Sequence, residues 1–299
     1  MGPRDGLQAI DRVYDTGTKA AMIERMLAAG VKEVEAASFV HPKVVPQLAD
    51  AEALLERLPR LEEVRYRGLV PNRKGAERAV AAGVDVMVGL MSASETYSRR
   101  NQNMSIGEGL QALEQVAEVA REAGTPWVAS ISMAFFSPWE GYTPPATVLN
   151  LIERALPLGP AQVSLAATTG MAGPGRVASL CRLIRQEWPD LPLALHLHNG
   201  NGMALANALA GLQAGVAGFD ASICGIGGGI VLPKGNYDTG NIPTEDLVCM
   251  LTDLGVDPGL QPGEVIEAAR DVAGLLELDD TGFTARTGTP EELVERYRG

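Results

Sequence analysis

Short apolar runs alternate with longer amphipathic stretches along most of the chain. Seven runs read as strands: VKEVEAASF (31–39), VRYRGLV (64–70), VDVMVGLMS (84–92), TPWVASISMAF (125–135), AQVSLAAT (161–168), LPLALHLH (191–198) and GFDASICGIGG (218–228). Apolar positions at helical spacing fall between them, over roughly 18–29, 74–82, 105–124, 147–157, 175–188 and 203–214. This alternation predicts an α/β fold with a parallel sheet, and its length fits a TIM (β/α)8 barrel. An eighth strand would lie immediately before GPRDGLQ (2–8), where the given sequence leaves room for a stub. The expected division is a barrel over 1–258 and a helical extension over 259–299 that packs on the barrel or on a partner subunit. The Gly-, Pro- and Asn-rich segment 229–243, GIVLPKGNYDTGNIP, is long for a strand-to-helix connection and reads as a lid or substrate loop.

Composition narrows the class. Hydrophobic residues make up 46% of the 299 positions but aromatics only 5%, so the core is expected to be aliphatic. The formal net charge of −12 argues against a general nucleic-acid binder. No apolar run is long enough to span a membrane, and no secretory leader is evident. Cys181, Cys224 and Cys249 form no CxxC pair, which suggests a reducing, cytoplasmic setting.

The chemistry concentrates at strand ends. His196 and His198 are two of the three histidines, and residues i and i+2 of a strand face the same side. Two imidazoles on one face can hold one metal ion, although alternating surface histidines give the same pattern. Arg4 and Asp5 follow the stub strand, Glu35 lies inside an apolar strand, and Asn241 follows the last strand. Barrel strands deliver functional residues to one shared face at their C-terminal ends. Asp5, His196, His198 and Asn241 form a mixed oxygen and nitrogen set suited to Mg²⁺ or Mn²⁺, and the lack of a thiolate disfavours zinc. Arg4 beside such an ion can stabilise a developing oxyanion, with Glu35 fixing its fork. Singly, each has a plainer reading: a surface pair for Arg4-Asp5, an exposed strand position for Glu35, a turn for Asn241.

The segments GPRDGLQ (2–8), EAASFVHPKVVPQLAD (35–50), LVPN (69–72), SETYSRRNQNMSI (94–106), SPWEG (137–141) and GNIPTEDLV (240–248) resemble 3-hydroxy-3-methylglutaryl-CoA lyase, a member of the DRE-TIM metallolyase superfamily. HxH followed by GxALAN (196–207) is similar to the wider superfamily. The resemblance covers roughly residues 2–260. It implies a TIM barrel with Asp5, His196, His198 and Asn241 on a divalent metal, and a catalytic set of Arg4, Glu35 and His198. Arg4 would stabilise an enolate oxygen while a base takes the proton of a tertiary alcohol and the carbon–carbon bond breaks. Gln8, Ser38, Asn101, Ser164 and Thr168, polar residues of the matching segments, are the expected substrate contacts. The expected partner is a small molecule, an acyl-CoA or oxo acid, in a homodimer or higher homo-oligomer.

Four departures stand out. Gly229 occupies the position of the lyase's loop cysteine, and about three residues are added before Asn241. Ala167 stands in SLAATTG where the lyase has SLGDTxG, and Val128 stands where it has a basic residue. His198 is followed by Asn199, as in the synthase branch, where the lyase has HxHD. The alternatives are therefore an isopropylmalate synthase-like condensing enzyme, a 2-oxo acid aldolase on the same metal, and a barrel without catalysis. His41, Lys43, Arg99 and Arg100 could meet substrate or CoA phosphate, or simply be solvated.

Overall fold

A computed structural model describes residues 1–229, 231, 240–279 and 282–298. Its sheet has seven parallel strands: β1 (Glu33–Ser38), β2 (Arg65–Val70), β3 (Val86–Ser92), β4 (Trp127–Ser132), β7 (Gln162–Ala167), β8 (Leu193–Leu197) and β9 (Gly218–Asp220), hydrogen-bonded in that order. A small antiparallel hairpin, β5 (Phe136–Ser137) with β6 (Gly141–Tyr142), follows β4. The expected strands form within a few residues of their sequence bounds because they are apolar on both faces, as parallel strands covered by helices must be.

Helices α1 (Thr16–Ala28), α2 (Ala51–Arg57), α3 (Arg73–Ala81), α4 (Glu95–Gln102), α5 (Ile106–Ala123), α6 (Pro145–Ala155), α7 (Pro174–Glu187) and α8 (Ala204–Gln213) alternate with the strands. Their ends are written locally. Ser105 and Glu108 form a reciprocal capping box at the start of α5, and Gly124 ends that helix with φ +65°. Asn103 ends α4 in the left-handed region. The small-residue helix α8 reports close packing: a side chain at Gly211 would collide with Leu195 on β8.

Two expectations change at the ends of the sheet. The run 218–228 is a strand for only three residues and then turns at Ile223–Gly225, where Cys224 adopts φ +60°. The backbone of 240–244 takes over there. Ser222 N–H donates to Ile242 O, Thr244 N–H to Ser222 O, and Glu245 accepts from Cys224 N–H. The expected stub strand would precede Gly2. Among the described residues no strand lies between β9 and β1, and Gly2–Gly6 is a π-helical turn packed against β1 and the Ile223–Gly225 turn. Beneath this gap is a cavity of about 740 Å³ bordered by Met26, Leu212, Leu247 and Leu251.

The chain after the barrel comprises α9 (Thr244–Asp253), α10 (Pro262–Leu276), α11 (Phe283–Thr287) and α12 (Pro290–Arg298). Val265, Ile266, Ala269, Val272 and Leu276 of α10 are buried against α1 and α9. Glu245 and Asp246, at the start of α9, accept backbone N–H groups from Gly282, Phe283 and Thr284, which fastens the tail. No helix among the described residues is long and apolar enough to cross a membrane.

Candidate active site

A cavity of about 280 Å³ opens at the C-terminal ends of the strands. The Gly2–Gly6 turn buries Arg4 and Asp5 at its rim, and β8 presents His196 and His198 on one face, two residues apart. Asn241 is delivered separately: His198 and Asn241 form an isolated antiparallel bridge, with Ile242 N–H on Leu197 O at 2.9 Å. A one-residue slip of this segment would turn Asn241 away from the site.

These side chains meet. Asp5 Oδ2 accepts from Asn241 Nδ2 at 2.7 Å and lies 3.8 Å from His198 Nε2. Asp5 Oδ1 accepts from Arg4 Nη1 at 2.8 Å and from Gln8 Nε2 at 2.9 Å. Arg4 Nε donates to Glu35 Oε1, and Glu35 is 1% exposed, so the strand carboxylate is not a surface group. The Nε2 atoms of His196 and His198 are 3.0 Å apart. Two imidazole lone pairs that close repel unless a proton or a cation lies between them.

Electrostatics favour ionised groups here. Burial would raise the Asp5 carboxyl, but Arg4, His198, His196 and the Asn241 amide outweigh it and hold Asp5 below the ordinary carboxylate range. Burial acts to lower Arg4, yet Glu35 and Asp5 hold it above its ordinary value. Arg4 is thus a fixed cation clamped between two carboxylates at the lining of the cavity.

A divalent cation fits this donor set on two observations. Asp5, His196 and His198 each offer a ligand atom, and these atoms lie within 4.8 Å of one another. Asn241 spends its amide N–H groups on Asp5 and Ile226 O, which leaves its buried Oδ1 without a partner among the described residues. An orphaned buried acceptor beside two imidazoles and a carboxylate is what an absent cation would satisfy.

The other expected contacts divide. Gln8, Asn101 and Thr168 line the cavity, and Thr168 Oγ1 also accepts from Met133 N–H at 2.8 Å. Ser38 and Ser164 are buried but outside the lining: the Ser38 hydroxyl accepts from Val40 N–H, and Ser164 donates to Asp220 at 3.4 Å. Gly229 lines the cavity, as the loop-cysteine position should, whereas the Cys224 thiol is turned away and donates to Ala269 O on α10. Burial pushes that thiol up, away from reactive thiolate. Ala167 and Val128 are buried in strands outside the lining. His41 lines the mouth, Lys43 is exposed, Arg99 pairs with Glu95, and Arg100 lies over Trp139. The proposed lid spans 229–243; residues 230 and 232–239 of it lie outside the described residues.

The sequence reading missed Arg67 and Asp220. Arg67 is buried and Asp220 is partly buried; both line the cavity, joined at 3.3 Å, with Asp220 Oδ2 3.5 Å from His196 Nδ1. Their signal was present as a period of two: Arg67 alternates with Leu69 on β2, and Asp220 pairs directly with His196.

Comparison with known proteins agrees with this architecture. The HMGL-like family model matches residues 1–272. A 3-hydroxy-3-methylglutaryl-CoA lyase, cytoplasmic, of Danio rerio is 41% identical over 268 residues, covering 90% of this chain and 79% of the relative. An (R)-citramalyl-CoA lyase of Chloroflexus aurantiacus is 39% identical over 279 residues, covering 90% and 87%. The structure of an HMG-CoA lyase from Acinetobacter baumannii in complex with coenzyme A and 3-methylmalate superposes with a TM-score of 0.92 at 33% identity, covering 98% of this chain and 94% of that one. With one model spanning the barrel and the start of the tail, and relatives of this identity along nearly the whole length, the chain belongs to the HMGL-like family.

Proposed function

We propose that the protein is a divalent-metal-dependent carbon–carbon lyase that cleaves a short 3-hydroxyacyl-CoA into acetyl-CoA and an oxo acid. Membership of a family whose relatives are lyases of 3-hydroxy-3-methylglutaryl-CoA and (R)-citramalyl-CoA supports the reaction class. The observation that carries the reading is the meeting of Asp5, His196, His198 and the unpartnered Asn241 Oδ1 beside the clamped Arg4. These four residues would hold Mg²⁺ or Mn²⁺; a bound divalent ion supplies Lewis-acid polarisation of substrate oxygens.

The chain's own residues do the rest. Arg4 directs guanidinium N–H donors toward the negative charge that develops on the thioester oxygen as the bond breaks. Glu35 fixes the Arg4 fork from below, and Gln8 and Asn241 hold Asp5. The hydroxyl proton needs a base among the groups that line the cavity, and His198 serves only where its ring nitrogen is not held by the cation. Asn101 and Thr168 supply polar contacts to the acyl group. A cavity of about 280 Å³ admits a short branched acyl chain and leaves a nucleotide outside. Gly229 at the cysteine position removes a polar group from the cavity lining, which points to a substrate with fewer polar groups to recognise than 3-hydroxy-3-methylglutaryl-CoA, or with its charge placed elsewhere.

The condensing alternative rests on Asn199 in HxHN. Asn199 Oδ1 accepts from Ala204 N–H at 3.0 Å at the start of α8 and is not among the residues that line the cavity, so HxHN carries no weight for condensation. The unpaired thiols fit a cytoplasmic site of action, and sizing chromatography tests for the expected homo-oligomer. The decisive experiment incubates Mn²⁺-loaded protein with 3-hydroxy-3-methylglutaryl-CoA and, separately, citramalyl-CoA, and follows acetyl-CoA release. Turnover of either supports the reading. Turnover of neither, with condensation of acetyl-CoA onto a 2-oxo acid, overturns it in favour of synthesis.

A further inference from the structure

Strand β9 is three residues long and pairs on one side only, with β8. Yet it carries Asp220, the carboxylate that faces His196. A short edge strand is a weak mount for a group whose neighbour must be held to within about 0.5 Å. The sheet's two ends, β1 and β9, share no ladder among the described residues. Among the described residues, one side chain pairs with a carboxylate on each. Arg67, on β2, reaches through the barrel interior, and its Nη1 donates both to Glu33 Oε1 on β1 at 3.1 Å and to Asp220 Oδ1 on β9 at 3.3 Å. Arg67 is 7% exposed, and its charge is flanked by Asp220, Glu35 and Glu33. The other oxygen of Asp220 accepts from Ser164 at 3.4 Å on β7 and stands 3.5 Å from His196 Nδ1. That distance is long for a hydrogen bond, and Nδ1 is otherwise buried without a partner among the described residues. Asp220 is therefore the carboxylate poised to fix which ring nitrogen of His196 carries the proton.

We propose that Arg67 is a positioning residue: an ion-pair clasp between Glu33 and Asp220 that, through Asp220, orients His196 with Nε2 facing His198. The inference rests on the metal reading above and adds to it a group outside the ligand set. A lysine keeps the charge but has a shorter reach than the guanidinium nitrogen that meets both carboxylates, so it reproduces the contacts only in part. A methionine fills similar volume without charge and leaves Asp220 and Glu33 facing each other unbalanced.

The test compares wild type, R67M, R67K, D220N and R67M/D220N by calorimetric Mn²⁺ titration. In parallel, ¹⁵N NMR of the metal-free proteins reads the His196 tautomer. Wild type is expected to carry the His196 proton on Nδ1. R67M and D220N are each expected to bind Mn²⁺ roughly 10- to 100-fold more weakly and to lose the single tautomer, with R67K intermediate. The double variant should be no worse than either single one, since both break the same chain of contacts. Folded R67M that binds Mn²⁺ within twofold of wild type, with the Nδ1 tautomer intact, overturns the proposal, as do fully additive losses. If R67M fails to fold, R67K decides: wild-type affinity and tautomer refute the clasp, and a shift in both supports it. Wild type that binds no Mn²⁺ sinks the metal reading, and the tautomer's response to R67K and D220N then upholds or overturns the clasp on its own.

Discussion

Replacing Glu35 by glutamine isolates the clamp on Arg4. Glu35 is almost fully buried, and one of its oxygens accepts from Arg4 Nε. Its other oxygen is buried without a partner among the described residues. Glutamine keeps the shape and one acceptor, but it removes the charge and places an amide N–H₂ where Oε2 was. Arg4 stays charged, because its guanidinium is held above its ordinary value and Asp5 remains at 2.8 Å. Breaking a buried ion pair costs about 3–5 kcal/mol, and the surviving Asp5 contact puts this case near 3 kcal/mol. For a chain of this length that is a fall in Tm of about 6 °C at roughly 2 °C per kcal/mol. If Arg4 receives the developing oxyanion, loosening its fork should lower kcat by about 10²-fold or more. Mn²⁺ affinity should stay within about threefold, since Gln8 and Asn241 still hold Asp5. Scanning calorimetry, Mn²⁺ titration and acetyl-CoA release measure the three effects separately. A Tm drop with kcat within threefold of wild type would show that the clamp is structural and that Arg4 is not the charge-stabilising group.

Asn241→Ala should weaken Mn²⁺ binding about 10- to 100-fold while leaving Tm in chelator within a few degrees; unchanged binding would remove Asn241 from the ligand set. Saturating Mn²⁺ at about 100 times its Kd should stabilise wild type by about 2.7 kcal/mol over the chelated protein, and His196→Ala should abolish that difference in urea unfolding. Burial pushes the Glu245 carboxyl up to about 7, so the folded state binds a proton that the unfolded chain releases near its ordinary value. Stability should therefore fall as pH rises from about 5 to 8, by about 3 kcal/mol, and E245Q should flatten that slope. Gly229→Cys restores the thiol of the lyase pattern at the cavity lining, and at least a tenfold gain in 3-hydroxy-3-methylglutaryl-CoA cleavage is expected; no gain would show that the site moves its proton another way.

The parts of the site that were legible in sequence are those encoded by local period. His196 and His198 share a face because a strand alternates, and Arg4-Asp5 and Asn241 fall at strand ends by order alone. Arg67 and Asp220 carried only the weak signal of strand alternation, and their partnership joins residues 153 positions apart, which no local pattern reveals. The apolar stretch after Asp220 reads as more strand, but Cys224 adopts φ +60° under hydrogen bonds that come from 242–245. Helices α2 and α4 escaped notice because each is short, and α4, ETYSRRNQ, is polar throughout. Ser38 and Ser164 sit in the expected strands, yet neither lines the cavity: Ser38 accepts from Val40 N–H and Ser164 donates to Asp220.

The start of α9 has a consequence for handling the protein. Glu245 binds Cys224 N–H on one side and Gly282 N–H on the other, and Asp246 holds Phe283 and Thr284. The tail is thus stapled to the turn that follows β9, four residues from Asn241. Any cut that removes Gly282–Thr284 leaves two carboxylates stripped of their donors in the wall behind the site. Helix α12, by contrast, buries none of its side chains. Purification tags, fusion partners and surface attachment therefore belong beyond α12, and the stretch through Thr284 should be treated as part of the catalytic body.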